Sequence, residues 1–576
     1  MSDKFRDVAS SSIRKREDAA YSVCCKLEEA DMEDSTREIT DLTLLKKIDL
    51  RFWAVLISSV CFGLFAHGMM LFNKYSWHDD SFQMFGVGSS YSSGRWFLQI
   101  FSDFEAKFFG SGHFSTPSVN GIFCIFCIAL MTYLLVRLFD IRSILICCGM
   151  AGILVTFPSV TGTFGYLFAA PFYLFAILMT VLGAYLICKV ERWYTFLLGV
   201  LMIGSSVGIY QAYIPMAMTI MVFCFFVRVN KEEMTAREYL IYGIRLVLGI
   251  GLALVFYFLM NKLCLHVTQT ELSGYQGINS ATDQGMMVYL SRVKYAYKSY
   301  LIPGRLGANG VWDNMYPWRS LTFYYLQMAI SLVLLARKAI VYIKAGKIRK
   351  LIQMGILVIL FPLASNFIFV MTPLDTVYAL TAYAQAFTYI FFAYLVDDYF
   401  ALTRTAGSAG EDGQAEGSGE AGGWKRRIPH IILVTEIVLL LLTSVTYSRY
   451  DAACYLKAEI TQTRAISFFN QMVSAIKTTE GYKDEYPVVF LNTDGIKDKN
   501  VREIGELNAL NISPYFNMDG FMNSYIWQVF VDRWCAYKPD QVNESEVKDL
   551  PEVKSMPHYP DQGSIKVVNH IVVVNF

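Results

Sequence analysis

The chain lacks the motifs that mark nucleotide-driven enzymes. It has no Walker loop, no dinucleotide fingerprint and no catalytic serine motif in a strand-to-helix setting, which argues against an ATP-driven pump. Charge is sparse, at 17% of residues, and balanced to a formal net +1, so nothing points to a nucleic-acid partner. The twelve cysteines show no metal or redox spacing. Cys24-Cys25, Cys124-x-x-Cys127 and Cys147-Cys148 fall in a charged tail or in apolar segments, where ordinary thiols are expected. Cys454 and Cys535 are the two placed to meet outside a membrane. His78 and His113 belong to no His-x-x-x-His or comparable ligand pattern. No cleavable leader is expected before the first apolar run, because the first fifty residues are too long and too charged for an n-region. That run should stay as a membrane helix.

What the chain has instead is apolar length. Hydrophobic residues make up 54% and aromatics 15%, with a mean hydropathy of +0.37, as in a protein with many membrane segments and interface-anchoring rings. About 20 helical residues cross the hydrocarbon. Candidate spans fall near 53–72, 119–137, 144–160, 165–188, 194–210, 212–227, 240–263, 320–336, 351–370, 377–396 and 430–447. The stretch 194–227 reads as two short spans turning near Tyr210-Gln211, with Pro215 just beyond supporting the break. Charge tests this count of eleven. With the amino terminus inside, the inside segments carry Arg137 and Arg142, then Lys189 and Arg192, then Arg228, Lys231 and Arg237. The later ones carry Arg337, Lys338, Lys344, Lys347, Arg349 and Lys350, and Arg404 with Lys425, Arg426 and Arg427. All are basic, as the positive-inside rule requires, and merging the two spans of 194–227 would turn the later basic loops outward.

The expected organisation is a cytoplasmic tail at 1–50, a polytopic α-helical membrane domain at 51–447 and a small external α/β domain at 448–576. External loops at 73–118 and 264–319 are too long for simple turns and suit binding sites or lids. The first holds the patches Trp96-Phe97-Leu98 and Phe108-Phe109, which fit short amphipathic helices at the interface. A cytoplasmic linker at 397–429 includes a Gly, Ser, Ala and Glu-rich tether, 406–423. In the tail, 453–478 shows broken helical periodicity, while 487–491, 565–568 and 571–574 read as strands.

Candidate chemistry gathers in the external loops. Asp79 and Asp80 follow Trp77-His78 at the expected mouth of the bundle, where acidic groups need solvent, a partner or chemistry. One carboxylate suits a general base on an acceptor hydroxyl, with the other orienting it or helping to hold a cation; the plainer reading is a solvated turn that caps a helix. In Gly94-Arg95-Trp96, the positive-inside rule gives Arg95 no topological role. Its guanidinium suits a phosphate clamp and Trp96 an anchor or sugar platform, surface anchoring being the alternative for both. Lys294, Lys298 and Arg305 form an external basic strip for a lipid phosphate, though each alone reads as surface. His78, Trp96, His113, Tyr210, Gln211 and Asp375 are candidate cavity-lining residues, with helix capping the alternative for Asp375. If Mg²⁺ or Mn²⁺ is used, Asp79, Asp80 and His113 are the candidate ligands. Asp397-Asp398 falls inside and reads as a solvated helix end.

The first span, the Asp79-Asp80 pair, the following Gly94-Arg95-Trp96 and the many-span body with an external tail resemble the bacterial GtrII-type glucosyltransferases, integral-membrane glycosyltransferases of the GT-C class. The resemblance covers most of 50–470 and rests on short motifs; the tail beyond about 480 is less recognisable, and 406–423 is peculiar to this chain. It implies transfer of a sugar, typically glucose, from a polyprenyl-phosphate carrier to a cell-surface polysaccharide, outside the bacterial cytoplasmic membrane and with inversion at the anomeric centre. On this chain it implies Asp79 or Asp80 as the base, and Arg95, then Arg305, beside the departing phosphate. A transporter or flippase for a lipid-linked saccharide, or a non-catalytic subunit of a polysaccharide assembly complex, are the competing readings.

Overall fold

The computed structural model describes residues 49–76, 79–88, 90–273, 285–303, 318–374, 377–408, 420–493 and 526–576. The first helix, α1 (Leu50–Phe72), is capped by Asp49, whose side chain accepts from Arg51 N at 3.0 Å. A one-turn helix, α2 (Asp79–Phe82), and α3 (Trp96–Phe109) lie in the connection to α4 (Pro117–Phe139). Next come α5 (Ile144–Thr156) and α6 (Pro158–Phe164), bent by 40° at Pro158, which cannot donate to the preceding turn. They lead to α7 (Ala170–Lys189), α8 (Trp193–Ile209) and α9 (Ile214–Lys231). The chain breaks between α8 and α9 at extended Tyr210, with a 3₁₀ turn at Gln211–Tyr213. Beyond these lie α10 (Ala236–Thr268), α11 (Met286–Leu301), α12 (Trp318–Lys344) and α13 (Ile348–Ser365). Then α14 (Phe387–Ser408) and α15 (Glu420–Thr478) complete the bundle.

Nine of the described helices are long and apolar enough to cross a membrane, ten if the bent α5–α6 pair is one span, and α8 is a shorter apolar helix. This is a multi-pass membrane architecture. Burial sorts the helices into two classes. The stretch 379–397 is wholly buried, whereas α10 and α12 expose most of their surface. On α10 a narrow row including Tyr242, Leu246, Gly249, Ala253 and Tyr257 faces the bundle. Its other sides carry exposed Leu240, Ile244, Val247, Leu252 and Phe258. In water such a face would be an aggregation hazard; in lipid it is the natural outer surface. Close packing uses small residues. A Cβ on Gly199 would sit 2.6 Å from the carbonyl oxygen of Gly183, so these two glycines set how near α7 and α8 approach.

One end of the bundle is a charged belt. Lys231 pairs with Asp140, Lys338 with Asp398 at 2.5 Å, and Lys347 with Glu233 at 2.5 Å. Arg51 donates to Ile141 O at 2.8 Å. Asp397 is buried, and it accepts from the backbone N–H groups of Arg142 at 2.9 Å and Ser143 at 2.8 Å. It therefore caps α5 from another helix instead of standing as a solvated helix end. The belt joins segments that the charge pattern assigns to one side.

The tail is built on α15, which runs for 59 residues and passes residue 448 without a break. At 1.5 Å per residue it is roughly 90 Å long, three times the hydrocarbon thickness. The stretch 453–478 is thus continuous helix, where the sequence suggests broken periodicity. Beyond it β1 (Val488–Leu491), α16 (Trp527–Cys535), β2 (Ile565–Val568) and β3 (Ile571–Asn575) form a small domain. The sheet order is β1-β3-β2, with β1 parallel and β2 antiparallel to a buried central β3. Trp527 of α16 stacks on Phe469 of α15 at 5.8 Å and docks this domain on the long helix. Cys454 and Cys535 are both free thiols. Replacing Asp397 with alanine removes two charge-assisted bonds to otherwise orphaned N–H groups. Asp397→Ala is expected to cost about 2 kcal/mol, and Asp397→Asn about half of that, read from denaturation of the purified protein in detergent.

Candidate active site

The connection between α1 and α4 is fastened at the end of the bundle opposite the charged belt. Gln462 of α15 clamps its first residues: its Oε1 accepts from Ser76 N at 2.7 Å and its Nε2 donates to Lys74 O at 3.0 Å. Tyr75 Oη donates to Glu459 at 3.4 Å, one turn earlier on the same helix. Ser81 Oγ closes the turn on Ser76 O at 2.6 Å.

Asp80 is completely buried and pairs with Lys74. Ser115 Oγ donates to its other oxygen at 2.5 Å, and Lys74 Nζ reaches Ser115 Oγ at 2.8 Å. The backbone of Phe168 adds a further bond. Burial pushes the Asp80 carboxyl up and the Lys74 ammonium down, while their mutual attraction opposes both shifts. Asp79 precedes Asp80 in α2 and is half-buried. Consecutive helical side chains point about 100° apart, so a carboxylate aimed into the knot leaves its neighbour directed elsewhere. His113 joins the same wall. Its Nε2 contacts Phe168 O at 2.9 Å, and its Nδ1 lies 3.4 Å from Glu105. No group of three or more His, Cys, Asp or Glu side chains suited to a metal occurs among the described residues.

Arg95 rests on a tyrosine shelf. Its Nη1 donates to Tyr173 Oη at 3.1 Å, and its guanidinium lies 4.9 Å from the centre of the Tyr210 ring, which stacks on Tyr173 at 4.7 Å. Gly94, at φ +72°, holds the turn that delivers it. A Cβ there would lie 2.7 Å from Tyr257 Oη and 2.9 Å from Gln211 Nε2. Both groups grip the turn: Tyr257 donates to Gly94 O at 3.1 Å and Gln211 to Ser93 O at 2.9 Å. Trp96 is buried against Val207, Ile214 and Tyr257, with Gly208 beneath its ring.

The structure therefore gathers Asp79, Asp80 and His113 at one place on this connection, and brings Arg95 and Trp96 from another part of it against Tyr210 and Gln211 of the α8–α9 break. Lys294 and Lys298 are exposed on α11 and belong to neither the knot nor the shelf; Arg292 beside them is turned inward. His78, Arg305 and Asp375 lie outside the described residues. Sequence reading misses Lys74, Ser115, Tyr173, Tyr257 and Gln462. Lys74 carries a usable signal, being a cation near Asp80 in a loop where topology gives it no role, as for Arg95. The others are brought in by tertiary packing from up to 388 residues away.

The chain is thus a multi-pass membrane protein with polar and charged side chains ordered in the connection after its first long helix. A family profile, Glucosyl transferase GtrII, matches residues 68–395 of the 576. The chain belongs to this family of GT-C-class glycosyltransferases. The matched region contains α2, the Gly94-Arg95-Trp96 turn and the tyrosine shelf, and it ends before α15. No curated protein and no solved structure matches the chain.

Loss of the Lys74 ammonium would strand Asp80. The folded-state pKa of Asp80, already raised by burial, would rise further above that of the unfolded chain, so stability would fall as pH climbs through that interval. Lys74→Met is expected to cost about 3 kcal/mol near pH 8 and distinctly less near pH 5. Thermal midpoints of the purified protein at the two pH values check this, and equal losses would contradict the pairing.

Proposed function

We propose that the protein is an inverting glycosyltransferase that moves a sugar, glucose by family, from a polyprenyl-phosphate carrier to a cell-surface polysaccharide. In this reading the membrane is the bacterial cytoplasmic membrane, the amino terminus is cytoplasmic, the chain crosses eleven times, and α2, α3 and the tail domain lie outside. The observation that carries it is the division of labour in the acidic pair. Asp80 is buried against Lys74 and Ser115 inside the wall, whereas its neighbour Asp79 is half-buried; in this reading Asp79 is the carboxylate that serves the acceptor.

The chemistry follows. An acceptor hydroxyl attacks the anomeric carbon and passes its proton to Asp79. The bond from that carbon to the phosphate oxygen breaks, and the electron pair leaves with the carrier phosphate. Arg95, oriented by Tyr173 and Tyr210, supplies positive charge where this negative charge develops. A single displacement of this kind inverts the centre. Asp80 acts through α2 as a positioning group. The carrier's apolar tail would stay in lipid beside the exposed faces of the bundle, which makes the bilayer boundary the natural place for the reaction.

One observation favours a second reading, a transporter or flippase for a lipid-linked saccharide. Glu436 and Asp451 are fully buried on α15, as ionisable groups on a permeation path would be. The test uses purified protein in lipid with polyprenyl-phosphate glucose and extracted surface glycan, with hexose addition followed by mass spectrometry. Asp79→Asn should lower the transfer rate by about 10²- to 10⁴-fold with donor binding retained, and Arg95→Gln should also slow transfer. Full activity in Asp79→Asn would sink the assignment of the base. Side-to-side movement of the carrier without hexose addition would favour the transporter, and tolerance of both substitutions would favour an assembly subunit.

A further inference from the structure

The proposed chemistry is divided between two helices, α2 with Asp79 and α3 with Arg95 at its N-cap. Transfer needs the two side chains at a fixed separation, yet each helix has its own fastening. The residues that join them are Glu105, on α3, and His113, in the stretch leading to α4.

The His113 side chain is 9% exposed, and its Nε2 lies 2.9 Å from Phe168 O. A carbonyl oxygen only accepts, so Nε2 carries the hydrogen and donates it. Nδ1 then points at Glu105 Oε2, 3.4 Å away. That oxygen is buried and makes no hydrogen bond among the described residues. Two lone pairs facing each other would repel. The contact attracts only with one proton between them, on Nδ1 or on the carboxyl. Both ring nitrogens thus face protein groups, and the ring itself lies 5.5 Å from that of Phe172.

Phe168 completes the link. Its carbonyl takes the His113 hydrogen while its backbone N–H bonds Asp80. A polar path therefore runs from α3 to α2 through Glu105, His113, Phe168 and Asp80. Alongside it, Phe101 of α3 packs on Phe172 and Phe175 of α7, with ring centres 5.7 and 4.9 Å apart. Tyr173, between those two in sequence, holds Arg95 at 3.1 Å. Hydrogen bonds are more directional than ring packing, so the polar path fixes the register in which the two helices meet.

We propose that Glu105 and His113 are positioning residues, a brace that sets the distance from the Arg95 guanidinium to the Asp79 carboxylate. The proposal rests on the transferase reading above and adds the groups that keep phosphate clamp and base in register. Neither residue touches substrate; each acts through the helix it fastens.

The test compares variants in lipid-embedded full-length protein. His113→Phe keeps a ring against Phe172 and removes both polar contacts, and Glu105→Ala removes one. Each should lower kcat by about 5- to 50-fold with donor and acceptor KM within about twofold of wild type, since a misplacement of about 1 Å can cost 10²-fold. Glu105→Gln should recover most of the rate, because its amide donates to Nδ1 without a shared proton. Lys566→Ala on β2 should leave all constants unchanged. Wild-type kcat in both His113→Phe and Glu105→Ala overturns the brace and leaves the transferase reading standing. So does a Glu105→Gln rate as low as that of Glu105→Ala. If wild type transfers nothing, hydrogen–deuterium exchange decides without substrate. The brace predicts faster exchange at 79–83 and 96–109 in His113→Phe, with the buried stretch 379–397 unchanged. Unchanged exchange at 79–83, or a rise that extends equally to 379–397, overturns it.

Discussion

A carboxylate taken out of water beside a membrane must be paired or protonated, and the site depends on how Asp80 is paired. Lys74, from the start of the connection after α1, and Ser115, from its end, both bond it, and the backbone at Phe168 closes the knot. Three separate parts of the chain thereby meet on one side chain. Losing any of them would leave a buried charge or hydroxyl unpaired, so the arrangement is held more rigidly than a surface loop would be. Asp79 inherits its position from this knot, and Arg95 inherits its own from the separate Tyr173, Tyr210 and Tyr257 cluster.

The bundle is organised to keep its two ends chemically distinct. One end is a belt of ion pairs and caps, including Lys231 with Asp140 and Asp397 on the start of α5. The opposite end carries the aromatic shelf, the knot and the tail domain. The helix α15 connects these regimes. It starts near the belt, passes through the core, clamps Lys74 and Ser76 through Gln462, and then carries the sheet on its far end. Because the same helix holds both the connection after α1 and the tail domain, the contact between α2 and α16 is a consequence of the fold.

Sequence reading reaches the parts governed by local apolar length. The break at Tyr210 is visible because Pro215 and two short apolar runs imply it, and β2 and β3 because Ile565–Val568 and Ile571–Asn575 are dense in β-branched residues. The continuity of α15 is hidden because polar Asp451, Glu459 and Gln462 interrupt the apolar pattern; in the fold Asp451 is buried in the bundle, and Glu459 and Gln462 bond the first connection. Asp397 looks solvated in the sequence because the N–H groups it caps lie 254 and 255 residues away. The acidic pair is legible as a pair, but its division into a buried and a half-buried member needs Lys74, Ser115 and Phe168 in three dimensions.

In the proposed reaction, donor phosphate and base meet at this end of the bundle, on Arg95 and Asp79. Its most direct test is a cryo-electron-microscopy structure in nanodiscs with a non-transferable C-phosphonate analogue of polyprenyl-phosphate glucose. The phosphonate oxygens should lie about 3 Å from the Arg95 guanidinium, with the anomeric carbon facing Asp79 and the polyprenyl chain running out into lipid. A head group bound at the charged belt, or one that leaves both Arg95 and Asp79 untouched, would contradict it.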